Sequence, residues 1–97
     1  MVKKDEIINA LKNVKDPEIG LDIVTLGLVY DIQIVDSGVI YIKMTLTTPM
    51  CHFGPQILDD VKFNIKEIKD VRDINIDLVF DPPWEPSDDL KIMMGVE

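Results

Sequence analysis

The sequence predicts an α+β fold: a two-layer sandwich in which a small mixed sheet of about three strands is covered by two helices, plus a short C-terminal helix. Two stretches repeat apolar residues with helical spacing, three alternate with the two-residue period of a strand, and proline, glycine and aspartate separate them. The 97 residues suffice for one core, so we expect a single domain over residues 1–97.

The first helix is expected over residues 4–13, because Ile7, Leu11 and Val14 share one face. It ends before Asp16, since the following proline disfavours the α conformation there. Three strand patterns follow along the chain. Their inward sets are Leu28, Tyr30, Ile32 and Ile34; Ile40, Ile42, Met44 and Leu46; and Ile74, Ile76, Leu78 and Phe80.

Connections between these elements predict how the sheet is assembled. The sequence Asp36-Ser37-Gly38 joins the first two strands as a hairpin. A helix with apolar positions Ile57, Val61 and Ile65 precedes the third strand, so the sheet is mixed. Near the C-terminus, Ser87 is typical of a helix start, and the short helix is expected to reach about residue 94.

Composition excludes several classes of protein. The chain has 18 acidic and 10 basic residues, and its net charge of −8 repels nucleic acids and anionic membranes. Its single cysteine, Cys51, cannot form an intramolecular disulfide or supply a self-contained zinc site. No apolar run approaches the ~20 residues of a membrane span. We therefore expect a cytoplasmic protein with a free thiol.

Three loops depart from the regular pattern, and they are residues 16–22, 45–52 and 81–84. In the second, Cys51 comes shortly before a helix start, where the helix dipole stabilises a thiolate. Thr47 and Thr48 offer hydroxyl donors, and His52 is a candidate base or second ligand. The alternative is that Cys51 is a small buried apolar residue and His52 lies at the surface.

The other two loops also leave alternatives open. Asp16 and Glu18 form a carboxylate pair for a metal or a partner's basic groups, or else Asp16 shapes a turn and Glu18 is solvated. The rigid turn from Asp81 to Trp84 ends in an indole that either packs over the sheet or anchors a partner surface.

Four pieces of the sequence together resemble a known family. They are Asp16-Pro17-Glu18-Ile19-Gly20, Asp22-Ile23-Val24-Thr25-Leu26-Gly27-Leu28-Val29-Tyr30, Met44-Thr45-Leu46-Thr47-Thr48-Pro49 followed by Cys51, and Asp81-Pro82-Pro83-Trp84. In this order they resemble the iron–sulfur cluster assembly domain family of SufT and PaaD, also called the domain of unknown function fifty-nine. The resemblance extends over residues 7–95.

The resemblance implies a non-enzymatic role in maturing iron–sulfur proteins, as a scaffold, carrier or targeting adaptor. It places the functional centre at Cys51, with Asp16, Glu18, Thr47 and Thr48 in support, and partners among assembly proteins and apo-protein clients. Since clusters are generally held by about four thiolates, one cysteine means that any cluster is transient and shared with a second chain, a partner or a small thiol. A homodimer is one such arrangement.

Two other functions compete with this interpretation. One is a thiol enzyme with Cys51 as nucleophile and His52 or Asp16 as base. The other is an interaction module whose partners meet the turn that contains Asp81 and Trp84.

Overall fold

The computed structural model describes residues 2–35, 38–47 and 53–94. The helices and strands follow one another along the chain in the predicted order. They are α1 (Lys4–Leu11), β1 (Val29–Val35), β2 (Val39–Met44), α2 (Gly54–Lys66), β3 (Asp73–Leu78) and α3 (Asp88–Met94). The α+β class, the mixed sheet and the short C-terminal helix predicted from the sequence are confirmed.

The three strands form one sheet with β2 at its centre. β1 pairs with β2 in the antiparallel sense, and β2 pairs with β3 in the parallel sense. Val29, Met44 and Leu78 are aligned across the sheet at one end. We call this end of the sheet the motif end, because β1 begins there while β2 and β3 finish there.

The core lies between one face of the sheet and the helices. Inward side chains of β2 pack with the apolar stripes of α1 and α2, and all are at most 1% exposed: Ile7, Leu11, Ile40, Ile42, Met44, Ile57, Val61 and Ile65. Burying a side chain of this kind contributes about 1.5–3 kcal/mol. The opposite face of the sheet presents exposed residues such as Asp31, Tyr41 and Lys43, which gives the two-layer arrangement.

The structure differs from the sequence prediction at some element ends. α1 ends at Leu11 rather than at residue 13, because Val14 leaves the helix and its carbonyl accepts a hydrogen bond from the Ile23 N–H. β3 ends at Leu78, and the inward placement of Phe80 was wrong: this side chain lies beyond the strand and is 39% exposed. The period-two pattern continues in the sequence after the strand has ended.

Local capping explains where two helices begin. The hydroxyl of Ser87 accepts a hydrogen bond from the Leu90 N–H at 3.1 Å, as expected for an N-cap. At the start of α1, the Lys3 N–H donates to Glu6 Oε1 at 3.2 Å.

In the part of the chain that the structure describes, no helix has the length and apolar character needed to cross a membrane.

Two turn glycines share a backbone conformation but differ in their surroundings. Gly20 and Gly38 have φ values of +82° and +81°, in the left-handed region that favours glycine. A Cβ at Gly20 would meet no atom within 4 Å, but one at Gly38 would overlap the backbone carbonyl of Asp70. The turn before β2 therefore packs directly on the turn that leads into β3.

This difference predicts unequal costs for the same substitution. Gly20→Ala should lower the free energy of unfolding by about 1–2 kcal/mol, the cost of the left-handed conformation alone. Gly38→Ala should cost more, about 3 kcal/mol or above, because the backbone of Asp70 must also move. Urea unfolding of both variants measures the difference, and equal losses would show that the turns do not pack as described.

Candidate functional site

The three loops that carry the sequence motifs meet the sheet at its motif end. The chain enters β1 there, leaves β2 there into the segment that begins with Thr45, and leaves β3 there into the turn that contains Trp84. The start of α2 lies at the same end, since a Cβ at Gly54 would be 2.9 Å from Leu46 Cδ1. The strand pairing therefore brings three distant segments of sequence together.

The first loop is a tight turn built around Asp16. The Gly20 N–H donates to the Asp16 carbonyl at 2.7 Å, and the Glu18 N–H donates to Asp16 Oδ1 at 2.9 Å. The Asp16 side chain is fully buried, and its Oδ2 has no hydrogen-bond partner among the described residues. A buried polar atom without a partner is uncommon in proteins and costs free energy.

Asp22 organises the short helical turn that follows. Its carboxylate accepts hydrogen bonds from the Val24 N–H at 3.1 Å, the Thr25 N–H at 2.9 Å and the Thr25 hydroxyl at 2.6 Å. Partial burial by itself would raise the pKa of Asp22, but the hydrogen bonds from Thr25 and Val24 outweigh it and hold the pKa below its ordinary value.

A series of backbone hydrogen bonds connects the Asp16 turn to the end of β2. The Ile23 N–H donates to the Val14 carbonyl at 2.9 Å, the Leu28 N–H to the Ile23 carbonyl at 3.0 Å, and the Thr45 N–H to the Leu28 carbonyl at 2.8 Å. Lys15 also forms a β-bridge with Asp22. The first two loops are thus parts of one hydrogen-bonded unit.

The turn after β3 is attached to the same unit by two side chains. Trp84 Nε1–H donates to the Leu26 carbonyl at 2.6 Å, and the Tyr30 hydroxyl donates to the Pro82 carbonyl at 3.0 Å. The peptide bond between Asp81 and Pro82 is cis. Trp84 is half-buried and packs against the core, while Asp81 is exposed.

The remaining site residues predicted from the sequence fall into two groups. Glu18 is exposed and Thr47 is half-buried. Thr48, Cys51 and His52 lie outside the described residues. Thr47 and Phe53, the nearest described residues on either side of Cys51, follow β2 and precede α2 respectively.

Three polar residues at this end were not singled out from the sequence: Asp22, Thr25 and Thr45. The spacing of Asp22 and Thr25 is that of a capping aspartate and its donor, and would have identified the pair. Thr45 is fully buried, with its hydroxyl 3.4 Å from the Leu46 carbonyl. No local signal marks it, since Met44, Thr45 and Leu46 are all buried and the alternation of the strand is lost.

Within residues 2–35, 38–47 and 53–94, no three His, Cys, Asp or Glu side chains are grouped closely enough to hold a metal ion. Asp16 and Glu18, the carboxylate pair of the sequence analysis, differ in their surroundings: one is buried and the other exposed.

Comparison with known proteins identifies the family. Residues 4–78 match the model of a family described as iron–sulfur cluster assembly protein. The chain is 41% identical to the Fe-S protein maturation auxiliary factor YitW of Bacillus subtilis, with 97% of this chain and 95% of that protein covered. It is 46% identical to the Fe-S protein maturation auxiliary factor SufT of Staphylococcus aureus, with 84% and 96% covered. The chain therefore belongs to the iron–sulfur cluster assembly protein family.

A solved structure agrees with the fold. A conserved hypothetical protein from Thermotoga maritima superimposes with a TM-score of 0.87 at 50% sequence identity, covering 98% of this chain and 96% of that one. The family resemblance stated from the sequence motifs is confirmed by the family model and by the two relatives above.

Because of the hydrogen bonds to Asp22, we expect part of the free energy of unfolding to depend on pH. Because the pKa of Asp22 is lowered in the folded state, its stabilising contribution is present above the unfolded pKa of about 3.9 and is lost as the pH falls through the folded value. Thr25→Val removes one donor, so the Asp22 pKa should move upward and the unfolding free energy at pH 7 should drop by less than about 1 kcal/mol.

Titration of Asp22 by NMR and urea unfolding at neutral and acidic pH measure both effects. Thr25→Ser keeps the hydroxyl and is the matched control. A Thr25→Val protein with an unchanged Asp22 titration would contradict the assignment of the hydroxyl as a donor.

Proposed function

We propose that this protein matures iron–sulfur proteins by handing on a cluster, or by presenting an apo-protein client, at the motif end of its sheet. Cys51 is the transfer residue of this proposal, with Asp16, Glu18, Thr47, Thr48 and His52 as supporting residues. One observation carries it: three motif-bearing segments of the chain converge at the motif end and are joined by hydrogen bonds.

The number of thiols limits how a cluster is held. Iron–sulfur clusters are generally bound by about four thiolates, and this chain has a single cysteine. The cluster is therefore cargo that Cys51 shares with a second chain, a partner protein or a small thiol. Transient binding of this kind suits a carrier, since cargo with few ligands from one chain is easily passed to another.

Asp16 supports the proposal through its burial. Its Oδ1 is held by the Glu18 N–H, and its Oδ2 is a buried acceptor without a partner among the described residues. A hydrogen-bond donor that reaches Oδ2 from a partner or from the cysteine loop would remove the cost of leaving it unpaired. Asp16 is thus the member of the carboxylate pair best prepared to take part in binding.

Charge and exposure suggest how partners approach. The net charge of −8 favours assembly proteins and apo-protein clients with basic contact surfaces. Glu18 and Asp81 are exposed on loops that join the sheet at the motif end, where such a surface would meet them. A role without catalytic turnover is in line with relatives named as auxiliary factors, and a cytoplasmic location would keep the Cys51 thiol reduced.

Reconstitution tests the carrier form of the proposal. Anaerobic incubation of the purified protein with ferric iron, sulfide and glutathione should produce the visible absorbance of a cluster in the wild type, and little or none in Cys51→Ser, which removes the thiolate. His52→Ala shows whether the adjacent imidazole contributes. Identical colourless samples of wild type and Cys51→Ser would exclude direct binding and leave the adaptor form.

Complementation tests the role of the carboxylate. In Bacillus subtilis lacking YitW, expression of this protein should restore the activity of an iron–sulfur enzyme, and Asp16→Asn should restore it poorly because Oδ2 is replaced by an amide donor. The amide side chain of this variant keeps an oxygen for the Glu18 N–H, so the turn is preserved. Glu18→Gln is the matched control at an exposed site, and full rescue by Asp16→Asn would remove Asp16 from the site.

A further inference from the structure

We propose that Trp84 is a positioning residue: its indole N–H holds the backbone turn at Leu26–Gly27, and through Leu28 that turn sets the start of the loop that leads to Cys51. The proposal deepens the proposed function, since it names a residue that prepares the same site. It concerns the geometry of the free protein, so it can be tested without iron or a partner.

The contact between Trp84 and Leu26 is specific and distant in sequence. The indole Nε1–H donates to the Leu26 carbonyl at 2.6 Å across 58 residues. The next residue, Gly27, has a φ of +77°, and its Cβ position would lie 4.0 Å from the indole nitrogen. The indole therefore binds the backbone at the point where the chain reverses before entering β1.

Hydrogen bonds hold Leu26 and its neighbour from the other side as well. The Leu26 N–H donates to the Asp22 carbonyl, and the Gly27 N–H donates to the Val24 carbonyl, both at 3.0 Å. The carboxylate of Asp22 caps this same turn. Without Trp84, the Leu26 carbonyl would lose the indole donor that attaches this turn to the segment after β3.

The turn is connected to β2 through Leu28. This residue is fully buried, its N–H donates to the Ile23 carbonyl at 3.0 Å, and its carbonyl accepts from the Thr45 N–H at 2.8 Å. Thr45 is the first residue after β2 and opens the segment that contains Cys51. A displacement of the Leu26 carbonyl would therefore reach Thr45 along the backbone from Leu26 to Leu28 and then through the hydrogen bond between Leu28 and Thr45.

Tyr30 provides a matched comparison. Its hydroxyl donates to the Pro82 carbonyl, so it attaches the same turn after β3 to β1. Loss of this bond loosens the turn around Trp84 but leaves the Leu26 carbonyl with its indole partner. If Trp84 served only to cover the core and fasten this turn, Trp84→Phe and Tyr30→Phe should have similar effects.

The test compares Trp84→Phe with Tyr30→Phe by amide hydrogen exchange at single residues. Trp84→Phe should speed exchange at Leu28 and Thr45 by about tenfold, the effect of losing one hydrogen bond, without a matching change at Ile42 in the central strand. Tyr30→Phe should leave exchange at Leu28 and Thr45 unchanged, because the Leu26 carbonyl keeps its indole donor.

Replacing Trp84 with 3-benzothienylalanine provides a second variant if Trp84→Phe does not fold, because it keeps the bicyclic ring and removes only the N–H. The proposal requires that this variant, like Trp84→Phe, speed exchange at Leu28 and Thr45 but not at Ile42. Exchange that rises equally at Thr45 and Ile42, or the same result in Tyr30→Phe, would overturn it. A wild type that fails to bind a cluster would instead bear on the proposed function, since hydrogen exchange of the free protein involves no iron.

Discussion

The backbone hydrogen bonds of Leu28 hold the segments at the motif end together. Its amide and carbonyl bind Ile23 and Thr45, and the side chain is fully buried in the core. Because Ile23 in turn binds Val14, this one residue links the turn at Asp16 to the end of β2. The arrangement of the site therefore depends on backbone hydrogen bonds within a buried segment, which are stronger and less variable than contacts between exposed side chains.

The buried carboxylate of Asp16 is expensive to keep in a domain of this size. Leaving a buried acceptor unpaired costs about 1–3 kcal/mol, against a total stability of about 5–15 kcal/mol for a typical domain. The turn recovers part of this cost through the hydrogen bond from Glu18 to Oδ1. Among the described residues Oδ2 has no donor, and the proposed function would supply one from a partner or from the cysteine loop.

The fold followed from the sequence because local patterns and global packing agree. Ile57, Val61 and Ile65 form the buried stripe of α2, and Ile40, Ile42 and Met44 form the inward face of β2, as their spacing predicts. Phe80 continues a strand pattern but lies beyond the last residue of β3, where pairing with β2 has ended. Thr45 was missed for a different reason: it is buried together with Met44 and Leu46, where strand alternation predicts an exposed residue.

By itself, the sequence determined the class of fold, the order of its elements and the family, because helical and strand periodicities and four ordered motifs are all local properties of the chain. It also established that one thiol must share any cluster. Only the tertiary structure decided that Asp16 is buried while Glu18 is exposed, and that Trp84 donates to Leu26. The bond between Trp84 and Leu26 joins residues 58 positions apart in sequence, because the parallel pairing of β2 with β3 brings the turn after β3 to the end of the sheet where β1 begins.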